Sequence, residues 1–230
     1  MLKWLLVLAA CVALVATANH GRHWRLPDRY NPWATLEIDA APNVLTRYKL
    51  ARLEREPALC LAVLQTSGFR FEPVPDRETG PGCGFENAVQ ISHTDLQPNA
   101  AFTLNCPAAV ALALWEHHSV LPTAQRLLGS PARRLMHFGS YACRNVYGRE
   151  SGQRSEHALA NAIDVAGFEL QNGQKISVAR HWRGDDARAA FLHRIHDDAC
   201  QFFGGVFGPD YNAAHADHLH LDRGPYRLCR

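Results

Sequence analysis

The feature of this 230-residue sequence that most constrains its fold is a set of widely separated cysteines. One of the seven cysteines, Cys11, stands apart in an N-terminal apolar run. The others are Cys60, Cys83, Cys106, Cys143, Cys200 and Cys229. None of them has the C-x-x-C spacing of a zinc ribbon or redox site, and an even set at wide spacing is typical of exported domains with disulfides. We predict three disulfides, with six buried free thiols as the alternative. Their pairing cannot be read from the sequence, because six cysteines allow many connectivities.

The N-terminal residues 1–18 are predicted to be a signal peptide or an N-terminal membrane anchor. The apolar run from Trp4 to Ala18 follows Lys3 and is shorter than the roughly 20 residues of a comfortable membrane-spanning helix. Three outcomes remain open: cleavage after Ala18, retention as a short anchor, and lipidation at Cys11, because "LAAC" resembles a lipoprotein box. We therefore expect a periplasmic or cell-envelope protein, with association to the inner membrane through this segment as one form.

Composition predicts one globular domain with a short extension. The chain is 47% hydrophobic and carries a formal net charge of +2, with acidic and basic residues interspersed. Such a sequence buries a sizeable core but has no large basic face, so nucleic acid is not an expected partner. Composition gives no indication of the oligomeric state.

The domain is predicted to span residues 46–230, after an extended lead-in over residues 19–45 that contains three prolines and no apolar periodicity. Helical spacing predicts two short helices between Thr46 and Gly68, broken at Pro57. A further helix is expected from Asn105 and another from Pro122 to Leu128, where Gly129 stops it. The segment "AVQISH" between the two helical regions is short and β-prone, and we expect a strand there.

The second half of the chain is predicted to be richer in strands. "RLMHFGSYACR", "NAIDVAGF", "KISVAR" and "DHLHLD" have strand character, and "DDARAAFLHRIHDDACQFF" is typical of an amphipathic helix. The fold class predicted from these patterns is therefore α+β.

The segment "AHADHLHLD", residues 214–222, concentrates histidine and aspartate near the end of the chain. If residues 217–222 are extended, His218, His220 and Asp222 face one way, and Asp217 faces the other with the leucines. Two imidazoles on one face of a strand favour a divalent metal site, which needs further ligands from elsewhere in the chain.

Those further ligands are predicted to come from "SEHALANAIDVAGF". Asp164 lies in the middle of an otherwise apolar strand, where a bare carboxylate is costly unless it is paired or binds a metal. His157 precedes it by seven residues. His157, Asp164 and one terminal histidine make three ligands, which is the number typical of a catalytic zinc site with an open position for water. That arrangement favours hydrolysis.

The same residues carry a family resemblance. "SEHALANAID" resembles the S-x-H-x(6)-D motif, and "HADHLH" the closing H-x-x-H-x-H element, of the LAS metallopeptidases, which cleave bacterial cell-wall peptides. The closing element is most similar to that of penicillin-insensitive murein endopeptidases. Over roughly residues 45–228, segments including "GCG" and "GSYACR" also resemble the bacterial extensin-like C-terminal family. The resemblance implies an LAS/hedgehog-like zinc peptidase domain, with helices around a small, mainly antiparallel sheet.

The resemblance also implies roles for individual residues. His157, Asp164 and His220 would be ligands of Zn²⁺, and the proton carrier would be His218 or Asp217, of which we favour His218. His215 would assist the reaction or bind substrate. Arg144 would hold a carboxylate or polarise a carbonyl of the substrate, with a plain surface or ion-pair role as the alternative. Seven other histidines have no partner at the spacing of these motifs, and we expect them on the surface or on helix faces: His93, His117, His118, His137, His181, His193 and His196.

Two functions follow from this resemblance. The first is a zinc metallopeptidase that hydrolyses peptide bonds of peptidoglycan, as a cross-link endopeptidase or a stem-peptide carboxypeptidase. The second is a non-catalytic, zinc-stabilised cell-wall binding or scaffold domain, since the hedgehog branch uses the same fold without a demonstrated need for hydrolysis. The proton-transfer groups beside the predicted ligands favour the enzyme. A separate alternative is that the three residues bind no metal and are coincidental buried polar pairs.

Overall fold

The computed structural model describes residues 2–20 and 26–230, so residues 21–25 of the predicted lead-in lie outside the described residues. Helix α1 spans Leu2–His20, and a 3₁₀ turn follows at Asp28–Tyr30. Of the helices in these two ranges, none combines the length and apolar character needed to cross a bilayer. The rest of the lead-in is irregular, but Leu36 and Ile38 are buried in the core, so it is tied to the domain more closely than a surface segment would be.

The two short helices expected at the start of the domain are present. Helix α2 spans Thr46–Leu53 and helix α3 spans Pro57–Leu64, with Pro57 in the first turn, where its missing N–H is not needed. Six short strands follow: β1 Arg70–Val74, β2 Arg77–Gly80, β3 Cys83–Phe85, β4 Ala88–His93, β5 Gln97–Pro98 and β6 Phe102–Asn105. Strands β1, β4 and β6 form a three-stranded antiparallel sheet, and β2 and β3 form a hairpin.

A buried helix occupies the centre of the core. Helix α4, Cys106–Trp115, has every residue buried, and the Asn105 side chain caps it by accepting a hydrogen bond from the Ala108 N–H. A π-helical turn, Glu116–Val120, joins it to helix α5, Leu121–Leu128. Gly129 ends α5 in the left-handed conformation, with φ of 65°.

The largest sheet is built mainly from the second half of the chain and has seven strands in the order β12-β10-β11-β8-β7-β5, with β9 paired to β8. Its remaining strands are β7 Ala132–Gly139, β8 Ala162–Leu170, β9 Lys175–Ser177, β10 Gly205–Phe207, β11 Leu219–Asp222 and β12 Leu228–Cys229. The pairs β5–β7 and β10–β12 are parallel, and the others are antiparallel. Helices α6, Val178–His181, and α7, Ala187–Ala199, complete an α+β fold.

The central strand β8 is buried at eight of its nine positions, so its apolar residues join the core on both faces. Phe168 contacts Trp115 from α4 and Phe191 from α7. Gly167 is required because a Cβ there would lie 2.1 Å from the Ile176 carbonyl oxygen of β9. This packing fixes the strand that carries Asp164.

The six cysteines of the domain form three disulfides, as predicted: Cys60–Cys106, Cys83–Cys143 and Cys200–Cys229. The first joins α3 to α4, the second joins β3 to the loop after β7, and the third joins the end of α7 to β12. Cys11 is free and exposed.

Three local predictions are wrong. "RLMHFGSYACR" is a strand only as far as Gly139, and its last five residues are irregular. "KISVAR" is a strand only over Lys175–Ser177, and its second half begins helix α6. His137 is neither on the surface nor on a helix: it is buried on β7, and its Nε2 lies 3.0 Å from the Ala100 carbonyl oxygen.

Candidate metal centre

Three side chains from separate elements converge near the N-terminal end of strand β8. His157 lies in a 3₁₀ turn, Glu156–Leu159, that the Ser155 side chain caps. Asp164 lies on β8 and His220 on β11, and these two residues face each other in the antiparallel register. All three side chains are buried. Two strands and a capped turn therefore hold the group rigidly.

The ligand atoms of these three residues lie close together. Asp164 Oδ1 is 2.9 Å from His220 Nδ1 and 3.1 Å from His157 Nε2, and the two ring nitrogens are 3.1 Å apart. Tetrahedral ligands at about 2.0–2.1 Å from a zinc ion are separated by about 3.4 Å. A shift of a few tenths of an ångström would admit the ion.

The outer nitrogen of each imidazole is engaged elsewhere. His157 Nδ1 lies 2.9 Å from the Ser140 carbonyl oxygen, and His220 Nε2 lies 3.0 Å from Asp222 Oδ2. Both partners accept hydrogen bonds, so both outer nitrogens carry protons. In neutral imidazoles the inner nitrogens are then acceptors that face a carboxylate oxygen. Three acceptors pointing at one another need a cation, and two imidazole nitrogens with one carboxylate oxygen could hold a metal ion.

Without a metal, a proton supplies that cation. Burial works against the charge on His220, but its hydrogen bonds to Asp164 and Asp222 raise its pKa to about 9. Burial likewise opposes ionisation of Asp164, but hydrogen bonds from His157 and His220 hold its pKa well below the ordinary range. A metal ion would displace this proton.

Asp222 orients His220 from behind. It is fully buried, and its Oδ2 also accepts a hydrogen bond from the Tyr226 hydroxyl at 2.7 Å, while its Oδ1 accepts one from the Gly224 N–H at 2.7 Å. Gly205 leaves room for this carboxylate, since a Cβ there would lie 2.3 Å from Oδ2. A buried carboxylate that fixes the tautomer of a metal-binding histidine is a usual partner of such sites.

A cleft of about 540 Å³ opens beside the three residues. His220 lines it together with His215, His218 and Arg144. His218 lies just before β11, and its Nε2 is 3.4 Å from Asp164 Oδ1. Its Nδ1 is 2.8 Å from Asp217 Oδ1, whose side chain is 56% exposed. His218 therefore faces the ligand group, and Asp217 contacts its far side.

A sequence profile described as "Extensin-like protein C-terminus" matches residues 58–230. The chain belongs to the extensin-like protein C-terminus family. No curated protein and no solved structure matches it. The matched extensin-like region contains all seven residues that the sequence analysis proposed for the site, and the structure brings six of them to the cleft or the ligand group. Asp217 is the exception, because it reaches the site only through His218.

His215 of the extensin-like domain lies on the wall of the cleft. Its Nδ1 is 2.8 Å from Asn212 Oδ1, and its ring contacts those of His218 and His220. Burial, followed by the charges of His220 and His218, lowers its pKa to about 4. His215 is therefore neutral near pH 7, and it offers a second imidazole to a molecule in the cleft.

Arg144 is exposed at the rim of the cleft. Within the described part of the chain, its guanidinium makes no hydrogen bond or ion pair, so all its donors are available to a ligand. The neighbouring Cys143–Cys83 disulfide fixes the loop that carries it. The ion-pair role considered as an alternative has no partner among the described residues.

Sequence reasoning missed several residues that shape this extensin-like site. It placed Asp222 on the face of His220 but gave it no role, and it did not find the Ser140 carbonyl, Tyr226, Tyr147 or Tyr211. The two tyrosines at 147 and 211 line the cleft. Tyr147 adopts a positive φ of 58°, which is uncommon for a non-glycine residue. The H-x-D alternation at residues 220–222 was the one available signal for Asp222.

Proposed function

We propose that this domain is a zinc-dependent peptidase that hydrolyses peptide bonds of bacterial peptidoglycan, either at cross-links or in stem peptides. The observation that carries the proposal is the convergence of His157, Asp164 and His220 on one point beside an open cleft. The resemblance of "SEHALANAID" and "HADHLH" to LAS peptidase motifs supports the reaction class.

His157 Nε2, Asp164 Oδ1 and His220 Nδ1 would hold the metal. Bound zinc would lower the pKa of a coordinated water toward 7 and polarise a peptide carbonyl. Ser140 and Asp222 keep both imidazoles in the tautomer that presents a lone pair inward. Phe207 stacks on the His220 ring, with 5.5 Å between the ring centroids, and limits the rotation of that imidazole.

His218 is the proposed proton carrier. Its Nε2 faces the ligand group, where it would accept a proton from the attacking water and then donate it to the leaving amine. Asp217 accepts a hydrogen bond from Nδ1, so it would hold the ring in position and stabilise the imidazolium that forms. This contact favours an indirect role for Asp217, because a base must itself reach the water.

Arg144 is the proposed substrate-binding residue. Its unpartnered guanidinium would hold a substrate carboxylate or a polarised carbonyl in a bidentate manner. His215, neutral at pH 7, would accept a hydrogen bond from the substrate or donate one to it. Both lie on walls of the same cleft as His218.

Export to the periplasm or cell envelope is part of the proposal. The three disulfides support it, since such bonds persist in oxidising compartments. The N-terminal segment would act as a cleaved signal, a short anchor or a lipidated leader, and the last two would place the domain at the inner membrane. Peptidoglycan would then be accessible.

The deciding experiment is digestion of purified peptidoglycan by the zinc-loaded and the chelator-treated protein, followed by mass analysis of the fragments. We expect new peptide ends only with zinc. His218→Ala should retain zinc and lose activity by roughly 10²- to 10⁴-fold. Asp217→Ala is the matched variant, with a smaller loss expected. Zinc content is measured on each protein before rates are compared.

Inactivity of the zinc-loaded parent on every peptidoglycan tested would contradict the peptidase and favour the non-catalytic wall-binding domain. A loss in Asp217→Ala that equals or exceeds the loss in His218→Ala would instead assign the proton transfer to the carboxylate. If both zinc-loaded variants keep full activity, neither residue is an obligatory proton carrier.

A further inference from the structure

A second cleft, of about 410 Å³, lies between helix α2 and the segment that follows strand β11. Three arginines line it: Arg47, Arg223 and Arg227. Glu54 is the one carboxylate that lines it among the described residues. We call it the arginine cleft. Its side chains carry a formal charge of +2, from three guanidinium groups and one carboxylate, in a molecule whose whole net charge is +2.

Much of the donor capacity of these arginines is uncommitted. Arg223 donates to the Phe202 carbonyl at 2.9 Å and pairs with Glu54. Arg47 donates through Nη1 alone, to the Cys200 carbonyl at 2.8 Å. Arg227 is exposed and makes no hydrogen bond or ion pair with any described residue. Two guanidinium groups therefore keep donors free to bind a ligand.

Covalent and hydrogen bonds constrain the backbone around two of these arginines. Disulfide Cys200–Cys229 ties the chain next to Arg227 to the end of α7, whose Cys200 carbonyl also binds Arg47. Burial, then the charges of Arg227 and Arg223, lowers the pKa of Arg47. Three guanidinium groups that line one cleft with a single carboxylate repel one another, and a bound anion would offset this repulsion.

We propose that the arginine cleft binds an oxyanion, either a carboxylate or a phosphate group. Planar guanidinium groups match both ligands in a bidentate manner. The volume accommodates a small free anion or the charged end of a larger molecule. Tyr226 lines this cleft and also the cleft beside the proposed metal ligands, so the two clefts are neighbours. The inference does not depend on the proposed peptidase activity.

The test is titration of the full-length protein with inorganic phosphate and, separately, with the dicarboxylate glutarate, by calorimetry at low ionic strength. We expect at least one probe to bind, and the tighter one identifies the ligand class. Arg227→Ala should weaken the binding tenfold or more, because it removes a charge-assisted pair. Arg47→Ala should do the same. Arg126→Ala, which removes an exposed arginine from α5, is the matched control and should leave the Kd unchanged.

Glu54→Gln supplies a change of opposite sign. It removes the carboxylate that competes for Arg223, so the oxyanion should bind more tightly, an effect that loss of structure cannot imitate. An anion held at the metal centre would bind equally well to Arg227→Ala and the parent. That result, equal weakening by Arg126→Ala, or no binding of either probe would overturn the proposal.

Discussion

Replacing Asp222 by asparagine tests the proposed metal centre most directly, because the change is isosteric and leaves all three proposed ligands in place. The carboxylate accepts three hydrogen bonds, two at Oδ2 and one at Oδ1. An amide has one oxygen. In either orientation its NH₂ group faces at least one buried donor, from His220, Tyr226 or Gly224. One unsatisfied buried donor costs about 1–3 kcal/mol of unfolding free energy.

The larger consequence is for zinc. An amide no longer holds the proton on His220 Nε2 so strongly, and the competing tautomer places the proton on Nδ1, the proposed ligand atom. Loss of such a partner typically weakens metal binding 10- to 100-fold. That range corresponds to about 1.4–2.7 kcal/mol. Competition with a chromophoric chelator measures the zinc Kd, and thermal unfolding with and without zinc measures the coupling to stability.

Asp217→Asn is the control for this experiment. Asp217 is also an aspartate next to a histidine, but it is half exposed and contacts His218 and none of the three ligands. Its zinc Kd should stay within about twofold of the parent value, because no ligand loses its partner. A folded Asp222→Asn protein with the parent's zinc Kd would refute the orienting role of Asp222.

Three further outcomes are expected. The folded-state pKa of His220 is about 9, above the unfolded value of about 6.5, so protonation of His220 stabilises the metal-free protein fully below pH 6.5. This stabilisation is lost as the pH rises to about 9, and the unfolding temperature of the parent should fall over that range. His220→Gln should lack this fall. Replacing both Cys83 and Cys143 by serine opens a link between residues 60 positions apart, and urea unfolding should show a loss of about 4 kcal/mol by loop entropy. Arg144→Ala should lower kcat/KM on peptidoglycan peptides by roughly 10- to 100-fold with zinc content unchanged, since it contacts no ligand.

Features set by local chemistry were predictable from the sequence. Pro57 and Gly129 mark helix boundaries through backbone constraints that apply in any fold. Burying an unpaired carboxylate in the apolar strand "NAIDVAGF" would cost free energy, and this cost identified Asp164 as a paired or metal-binding residue. In the structure Asp164 has two imidazole partners. The number of disulfides followed from the six widely spaced cysteines of the domain, because their number is visible without knowledge of the fold.

Features set by tertiary contacts were not predictable. The disulfide pairing depends on which elements pack together. The π-helical turn at Glu116–Val120 contains a buried acid, Glu116, which accepts a hydrogen bond from Thr94, 22 residues away, and this contact is not visible in the sequence. The role of Asp222 depends on the Tyr226 hydroxyl and the Gly224 N–H, which reach it only after the chain turns back on itself.

The pairing of His220 with Asp164 joins positions 56 residues apart in the chain. A nascent chain therefore carries His157 and Asp164 long before it carries the residue that completes the set. Strand β11 must also dock on β8 before His220 Nδ1 reaches the others, and such distant pairing is slow because a long loop has to close first. High-affinity uptake of the proposed metal would thus be a late step of folding, and a ribosome-bound chain that ends before residue 220 would lack one of the three proposed ligands.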